Sequence, residues 1–131
     1  MSESESESES ESEGKSYLIV CDRPPYGSYA MFESLDMAMS AAAFDMPVQV
    51  LLRGDGVYAA LQGQSPSELK QKDLSKRLSA LEIYGVDAIY VCRKSLDDRN
   101  LAPDGLVESV QLIDAAQVSA ITTRADLVVQ L

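Results

Sequence analysis

Residues 17–52 read YLIVCDRPPYGSYAMFESLDMAMSAAAFDMPVQVLL, and this stretch decides the fold. Tyr17-Leu-Ile-Val-Cys21 is a short apolar, β-rich run that stops at Asp22-Arg-Pro-Pro-Tyr-Gly27, where two prolines and a glycine force a loop. From Ser28 to Phe44 the residues favour helix. Glu33, Asp36 and Ser40 fall at i, i+3 and i+7 and make one polar stripe, while Met31, Phe32, Leu35, Met39 and Ala42 occupy the broad remainder. Pro47 ends that helix, and Val48-Gln-Val-Leu-Leu52 supplies a second strand before Arg53-Gly-Asp-Gly56 turns the chain. Two apolar strands joined by a helical crossover form a βαβ unit, and strands this apolar belong in a parallel sheet covered on both faces.

Toward the C-terminus the alternation continues. Val57 to Leu61 fit one helical turn, which Gln62-Gly-Gln64 breaks. Ser65-Pro66-Ser67-Glu68 is a helix start, with Ser65 as cap, Pro66 at the first helical position and Glu68 completing a capping box. The helix is expected to run to about Tyr84, with Leu74, Leu78 and Leu81 on one face, Glu68–Lys72 and Asp73–Arg77 paired on the surface, and Gly85 as the stop. Ala88-Ile-Tyr-Val-Cys92 reads as a strand. A short helix from about Ser95, the Ala-Pro-Asp-Gly turn at 102–105 and a brief strand near Val107–Gln111 follow. Asp114-Ala-Ala-Gln117 is another capping-box start for a helix to about Thr123, and Asp126–Gln130 closes with a strand. Five strands and about four helices predict an α/β fold: a three-layer sandwich around a mostly parallel five-stranded sheet, flavodoxin-like in size. In such sheets the working loops lie outside the carboxyl ends of the strands, where both Cys21 and Cys92 fall.

Toward the N-terminus, residues 1–14 read MSESESESESESEG, six Ser-Glu repeats with no apolar side chain after Met1. Such a segment buries too little to offset its ordering entropy, so it is expected to be a disordered tail on a single domain spanning 15–131. The tail holds six of the 21 acidic residues, and the net charge of −10 overstates the acidity of the body. A mildly acidic body lacks the basic face that counterion release requires, so no direct nucleic-acid partner is expected.

The chain has no histidine, which excludes Ser-His-Asp and Cys-His couples and histidine metal ligands. Two cysteines do not make a zinc or iron–sulfur site alone and do not suggest a disulfide framework. No metal and no cofactor are expected. Apolar stretches fall far short of the ~20 residues of a membrane span, and no targeting pattern is present, so a soluble, cytoplasmic protein is expected.

Cys92 is the candidate for chemistry. It ends a strand, is followed by Arg93 and Lys94, and precedes a helix start at Ser95-Leu-Asp-Asp98; cations and helix amides both stabilise a thiolate or a persulfide anion. The competing reading is a small, inert residue at a strand end. Cys21 has Asp22 as well as Arg23 beside it, a poorer field for an anion, and reads as structural. Gly54-Asp-Gly56 reads as a turn, because no Gly-Lys-Ser/Thr follows to make a phosphate loop. Asp22, Asp45 and Asp55 are weak candidates for a magnesium-type site or a phospho-accepting aspartate, with no adjacent acidic pair after the first strand. The nearly all-round apolar first helix and six tyrosines predict an oligomer.

The runs RPPYGSYAMFESLDMAMSAAAFD at 23–45, VQVLLRGDGVYAALQGQ at 48–64, IYVCRKSLDDRNL at 89–101 and ADLVVQL at 125–131 together resemble the DsrE/DsrF/TusBCD sulfur-relay family, and most of all its DsrF/TusC-type subunit. The resemblance spans about residues 17–131. It implies a cytoplasmic heterohexamer with DsrE/TusD-type and DsrH/TusB-type sister subunits, passing persulfide sulfur between small carriers of TusA and DsrC/TusE type. Such complexes serve 2-thiolation of the tRNA wobble uridine or dissimilatory sulfur oxidation. In the DsrE/TusD-type partner the sulfur-accepting cysteine follows the strand before the short helix, and Cys92 matches that position, with Arg93 and Lys94 as anion-stabilising neighbours. The alternative within the same resemblance is a non-catalytic subunit that assembles the complex while a sister chain carries the sulfur. Persulfide exchange needs an accessible sulfur of low pKa but neither metal nor cofactor. A nucleotide- or flavin-binding module is a third reading that rests on fold analogy alone.

Overall fold

A computed structural model describes residues 15–61 and 74–131. The Ser-Glu tail, the Gln62-Gly-Gln64 break, the Ser65–Glu68 cap and the two surface pairs that use Glu68 and Asp73 lie outside the described residues. The described elements, in order, are β1 (Tyr17–Cys21), α1 (Ala30–Ala43), β2 (Val48–Leu52), a 3-10 segment (Gly54–Ala60), α2 (Leu74–Ile83), β3 (Ala88–Cys92), α3 (Arg93–Asp98), a 3-10 turn (Pro103–Gly105), β4 (Gln111–Ile113), α4 (Ala115–Arg124) and β5 (Leu127–Gln130).

The strands form one five-stranded sheet in the order β4-β3-β2-β1-β5, and every neighbouring pair is parallel. The chain steps outward from β1 to β4 and then returns across the sheet to lay β5 against the free side of β1. That return divides the layers. One face carries Ile19, Cys21, Val48, Val50, Leu52, Ile89 and Val91, packed under α1, α2, α3 and the 3-10 segment. The other carries Leu18, Val20, Leu51 and Ile113, covered by α4 through Ile121 and Val118. The result is the three-layer α/β sandwich that the alternation of strand and helix predicts.

Local chemistry explains most boundaries. In α1, Met31, Leu35, Ala38 and Ala42 are buried, and Glu33, Asp36 and Ser40 are exposed as the stripe predicts. Phe32, Met37, Met39 and Ala41 are half-buried against the same core. The broad apolar surface of this helix is therefore largely used within the subunit. Leu74, Leu78 and Leu81 of α2 are fully buried, each contributing about 2 kcal/mol of transfer free energy. Gly85 stops α2 at φ +103°, with the N–H of Val86 bonded back to the Leu81 carbonyl in a Schellman-type cap. Asp45 takes the corresponding left-handed position after α1, at φ 61°, which short polar side chains tolerate. The capping box of α4 is formed in full: Asp114 accepts from the Gln117 N–H at 2.8 Å, and Gln117 accepts from the Asp114 N–H at 2.9 Å.

Three elements differ from expectation. The helical turn expected at Val57–Leu61 starts earlier, at Gly54, and is a 3-10 segment through Ala60. The fourth strand occupies Gln111–Ile113, not 107–111, because Leu106 bridges Leu61 and the Val107 N–H bonds the Ala60 carbonyl at 2.8 Å, taking those residues for the loop. The short helix begins at Arg93, two residues before Ser95, so no loop separates it from β3.

Candidate functional site

All five strands point the same way, so Cys21, Leu52, Cys92 and Gln130 end at one rim of the sheet, the carboxyl side where parallel α/β sheets place their ligands. The chain leaves β1 over one face and reaches β5 over the other, which makes the gap between β1 and β5 the topological switch point. Polar contacts close that gap. Arg23 Nε donates to the Leu131 carbonyl at 3.1 Å, Gln130 Nε2 donates to Asp22, and Arg53 donates to Gln130 Oε1 at 3.4 Å. The cavity left beneath, lined by Cys21, Asp22, Arg23, Met31 and Ser34 among others, measures about 10 Å³, room for a single water rather than a nucleotide or flavin.

Cys21 lies in that wall, 4% exposed. Burial pushes its thiol from 9.0 up to about 12; a hydrogen bond with the Ser34 side chain pulls the other way, and the Asp22 carboxylate adds to the rise. At neutral pH it is a protonated, covered thiol, consistent with the structural reading of this residue.

Cys92 sits two strands away, as the residue that caps α3, with φ −74° and ψ 115°. It is 8% exposed, and its register with Ile113 places it on the α4 face of the sheet. Both cysteines are free. Arg93 and Lys94 follow as the first two residues of α3, both exposed. Lys94 Nζ is 3.1 Å from Asp98 Oδ2, one helical turn on, so its charge is shared with a carboxylate. The Arg93 side chain makes no hydrogen bond or ion pair among the described residues. Of the two cations, Arg93 is the one free to meet an anion beside Cys92.

Contacts that no short-range pattern announces fix α3 in place. Ser95 Oγ accepts the Gly54 N–H at 2.8 Å, and Arg99 grips Asp55 through Nε at 3.1 Å and Nη2 at 3.0 Å while its Nη1 donates to the Ser95 carbonyl at 3.1 Å. The partners are more than 40 residues apart in sequence. Asp55 is thus an ion-pair partner, Asp22 accepts from Gln130, and Asp45 serves a helix end. Among the described residues, no three metal-ligating side chains come together.

A larger cleft of about 550 Å³ opens beside α2, lined among the described residues by Ser79, Glu82, Val107, Glu108 and Ser109. Among the described residues two carboxylates line it, and Cys92 and Arg93 do not. No helix among the described residues is long and apolar enough to cross a membrane.

Comparison with known proteins defines the class. The chain belongs to the DsrE/DsrF-like family, whose model matches residues 15–131. It is 38% identical over 117 residues to the protein TusC homolog of Pseudomonas aeruginosa, covering 89% of this chain and 98% of that protein. It is 34% identical over 128 residues to the intracellular sulfur oxidation protein DsrF of Allochromatium vinosum, covering 87% and 94%. Among solved structures, the ychN protein of E. coli superposes with a TM-score of 0.79 at 26% identity, over 89% of this chain and 99% of that one.

Proposed function

We propose that this chain is a subunit of a cytoplasmic sulfur-relay complex, assembled with DsrE/TusD-type and DsrH/TusB-type sister chains, in which Cys92 carries persulfide sulfur between small carrier proteins of TusA and DsrC/TusE type. The family resemblance implies two settings for such a relay, tRNA wobble-uridine thiolation and sulfur oxidation, and the Allochromatium vinosum relative is named for the second. The observation that carries the reading is the contrast between the two thiols. Burial pushes the Cys21 thiol up to about 12, whereas Cys92 stands at the strand-to-helix junction beside Arg93, whose side chain has no hydrogen bond or ion pair among the described residues.

The step is a thiol–persulfide exchange. The Cys92 thiolate attacks the terminal sulfur of a donor persulfide; a bond forms between that sulfur and Sγ, the donor's S–S bond breaks, and the donor leaves as a thiolate that takes up the proton. Repeating the exchange passes the sulfur to the next thiol, with no net oxidation. Arg93 offsets the negative charge on the Cys92 persulfide.

Intact-protein mass spectrometry after incubation with a persulfide donor tests this. A reductant-sensitive gain of one sulfur, about 32 Da, is expected in the wild type and in Cys21→Ser, and not in Cys92→Ser. Absence of any gain while sister chains load normally refutes the carrier role. That outcome favours the second reading, a non-catalytic assembling subunit. Its support is the 8% exposure of Cys92, together with the exposed apolar side chains of Phe44 (79%) and Ile83 (85%), which suit burial against another chain.

A further inference from the structure

We infer that the amino rim of the sheet is a docking surface for a second protein, one that brings lysine or arginine side chains around an apolar surface, and that a second copy of this chain does not fit it. The inference goes beyond the carrier reading. It stands whether or not Cys92 carries sulfur, since that residue ends its strand at the opposite rim.

The surface is built where two helices stop. α1 and α2 are tied together by Arg77, whose guanidinium lies 5.3 Å from the centre of the Phe32 ring and pairs with Asp36. Each helix runs from the carboxyl rim back to the start of the next strand, so both end at the amino rim. The ends meet there. A Cβ on Gly85 would lie 3.9 Å from that of Ala42, and the Asp87 N–H donates to the Val48 carbonyl at 2.8 Å. Within two residues of the Ala42–Gly85 contact stand Phe44, Ile83 and Tyr84, each more than half exposed. Single exposed apolar side chains are ordinary, but three grouped at one junction mark a contact surface.

Charge says what kind of partner fits. A helix C-terminus carries partial negative charge and is stabilised by a cation in its last turn. α4 follows that rule and ends on Arg124. α1 and α2 have no basic residue in the last turn; α2 carries Glu82 there, Asp45 follows α1, and Asp87 lies just before β3. These three carboxylates are exposed and form no ion pair among the described residues, whereas Asp55 and Asp98, which follow β2 and β3, are paired with Arg99 and Lys94. The cations on the amino rim are Lys15, before β1, and Arg124, whose helix covers the other face of the sheet. Residues 1–14 join the sheet at Lys15 and bring six more glutamates to this end. A second copy meeting the surface with its own would set like charge against like. A partner with cations around an apolar surface offsets both helix ends and the carboxylates while burying Phe44, Ile83 and Tyr84.

The test titrates the full-length protein, labelled for amide NMR, with three peptides: a helix-forming leucine–lysine peptide, a lysine–serine peptide of equal charge, and a leucine–glutamate peptide. The leucine–lysine peptide is expected to shift the amides of 43–45 and 82–87. It should bind about tenfold more weakly to Ile83→Ser and to Glu82→Lys, and unchanged to Tyr29→Ser, which alters an exposed side chain at the other rim. Far-UV circular dichroism of each variant is expected to match the wild type. Equal binding of the lysine–serine peptide overturns the inference, because charge alone then explains the contact. Equal binding of the leucine–glutamate peptide overturns it as well, because charge then plays no part. Shifts confined to residues 1–14, or no binding of the leucine–lysine peptide, have the same consequence. Concentration-dependent shifts at 43–45 and 82–87 without peptide, with a dimer in sedimentation equilibrium, give the surface to a second copy and overturn the inference. Sulfur loading at Cys92 is read by its own assay, so failure of either reading leaves the other standing.

Discussion

Gly56 offers a sharp test of how the carboxyl rim is built. Replacing it by alanine adds one methyl group, yet that Cβ would lie 2.0 Å from the Cys21 carbonyl oxygen and 2.8 Å from its carbon, and both obstacles are backbone. Ordinary contact needs 3.4 Å or more, so the 3-10 segment must withdraw from β1 by about 1 Å or more. Withdrawal strains the Arg53 N–H bond to Cys21 and the Gly54 N–H bond to Ser95, now 3.1 and 2.8 Å. Overpacking of this kind costs about 1–3 kcal/mol, and a weakened hydrogen bond adds about 1 kcal/mol. The reduced entropy of the unfolded alanine chain returns about 0.5 kcal/mol. The net expectation is a loss of about 1.5–3.5 kcal/mol, a large share of the ~5–15 kcal/mol of a typical domain. Urea unfolding followed by far-UV circular dichroism measures it, at one fixed protein concentration because assembly shifts apparent stability. Gly105→Ala is the control, having nothing within 4 Å of its added Cβ, and is expected to stay within about 0.5 kcal/mol of wild type. Were Gly56→Ala to match that control, the segment after β2 would be free to give way, and its close seating on the end of β1 would not matter to stability.

Two further expectations follow from particular side chains. Asp114→Ala removes the acceptor for the Gln117 N–H and should destabilise the domain by about 1 kcal/mol in the same urea experiment, with Asp114→Ser recovering most of the loss. Cys21 predicts a pH dependence. Its folded pKa is raised, to about 12 against 9.0, so the native state binds the extra proton between those values and stability is lost as pH rises through that window. From pH 9 to 10.5 the wild type should lose about 1 kcal/mol per pH unit more than Cys21→Ala, and parallel curves for the two proteins would refute the assignment.

Much of this architecture was legible because the deciding signals are local. The apolar runs at 17–21, 48–52 and 88–92, the prolines at 24, 25 and 47, Gly85 and the Asp114–Gln117 box each fix an element within a few residues of themselves, and the structure has strands, helices and caps there. The strand at 111–113 is not legible locally, because Leu106 and Val107 are apolar enough for a strand but are held by partners at 60 and 61, which no window of sequence contains. The same limit hid the Asp55–Arg99 and Gly54–Ser95 contacts. Asp55 alone read as a turn residue or a weak metal ligand, and only the fold brings it to a guanidinium 44 residues away.

Place within the strand does not distinguish the two cysteines, since YLIVC and AIYVC each end a five-residue apolar strand with a thiol, and in sequence only the neighbouring charges, Asp22 against Arg93 and Lys94, tell them apart. Register separates them. Cys21 pairs with Leu52, and Leu52 pairs with Val91, so these three share one row and one face, beneath α1 and the segment after β2. Cys92 is one residue beyond that row. Because side chains alternate along a strand, one step moves it to the opposite face, in register with Ile113, where α4 is the covering layer. On the first face the thiol meets Ser34 and packed aliphatic side chains and stays protonated; on the second it sits at the foot of a short helix that opens with the exposed Arg93. Place at the end of a strand therefore does not decide which layer covers a cysteine. The parity of its register decides whether it faces the larger core or the thinner layer, and here that parity differs between two cysteines of equal rank in their strands.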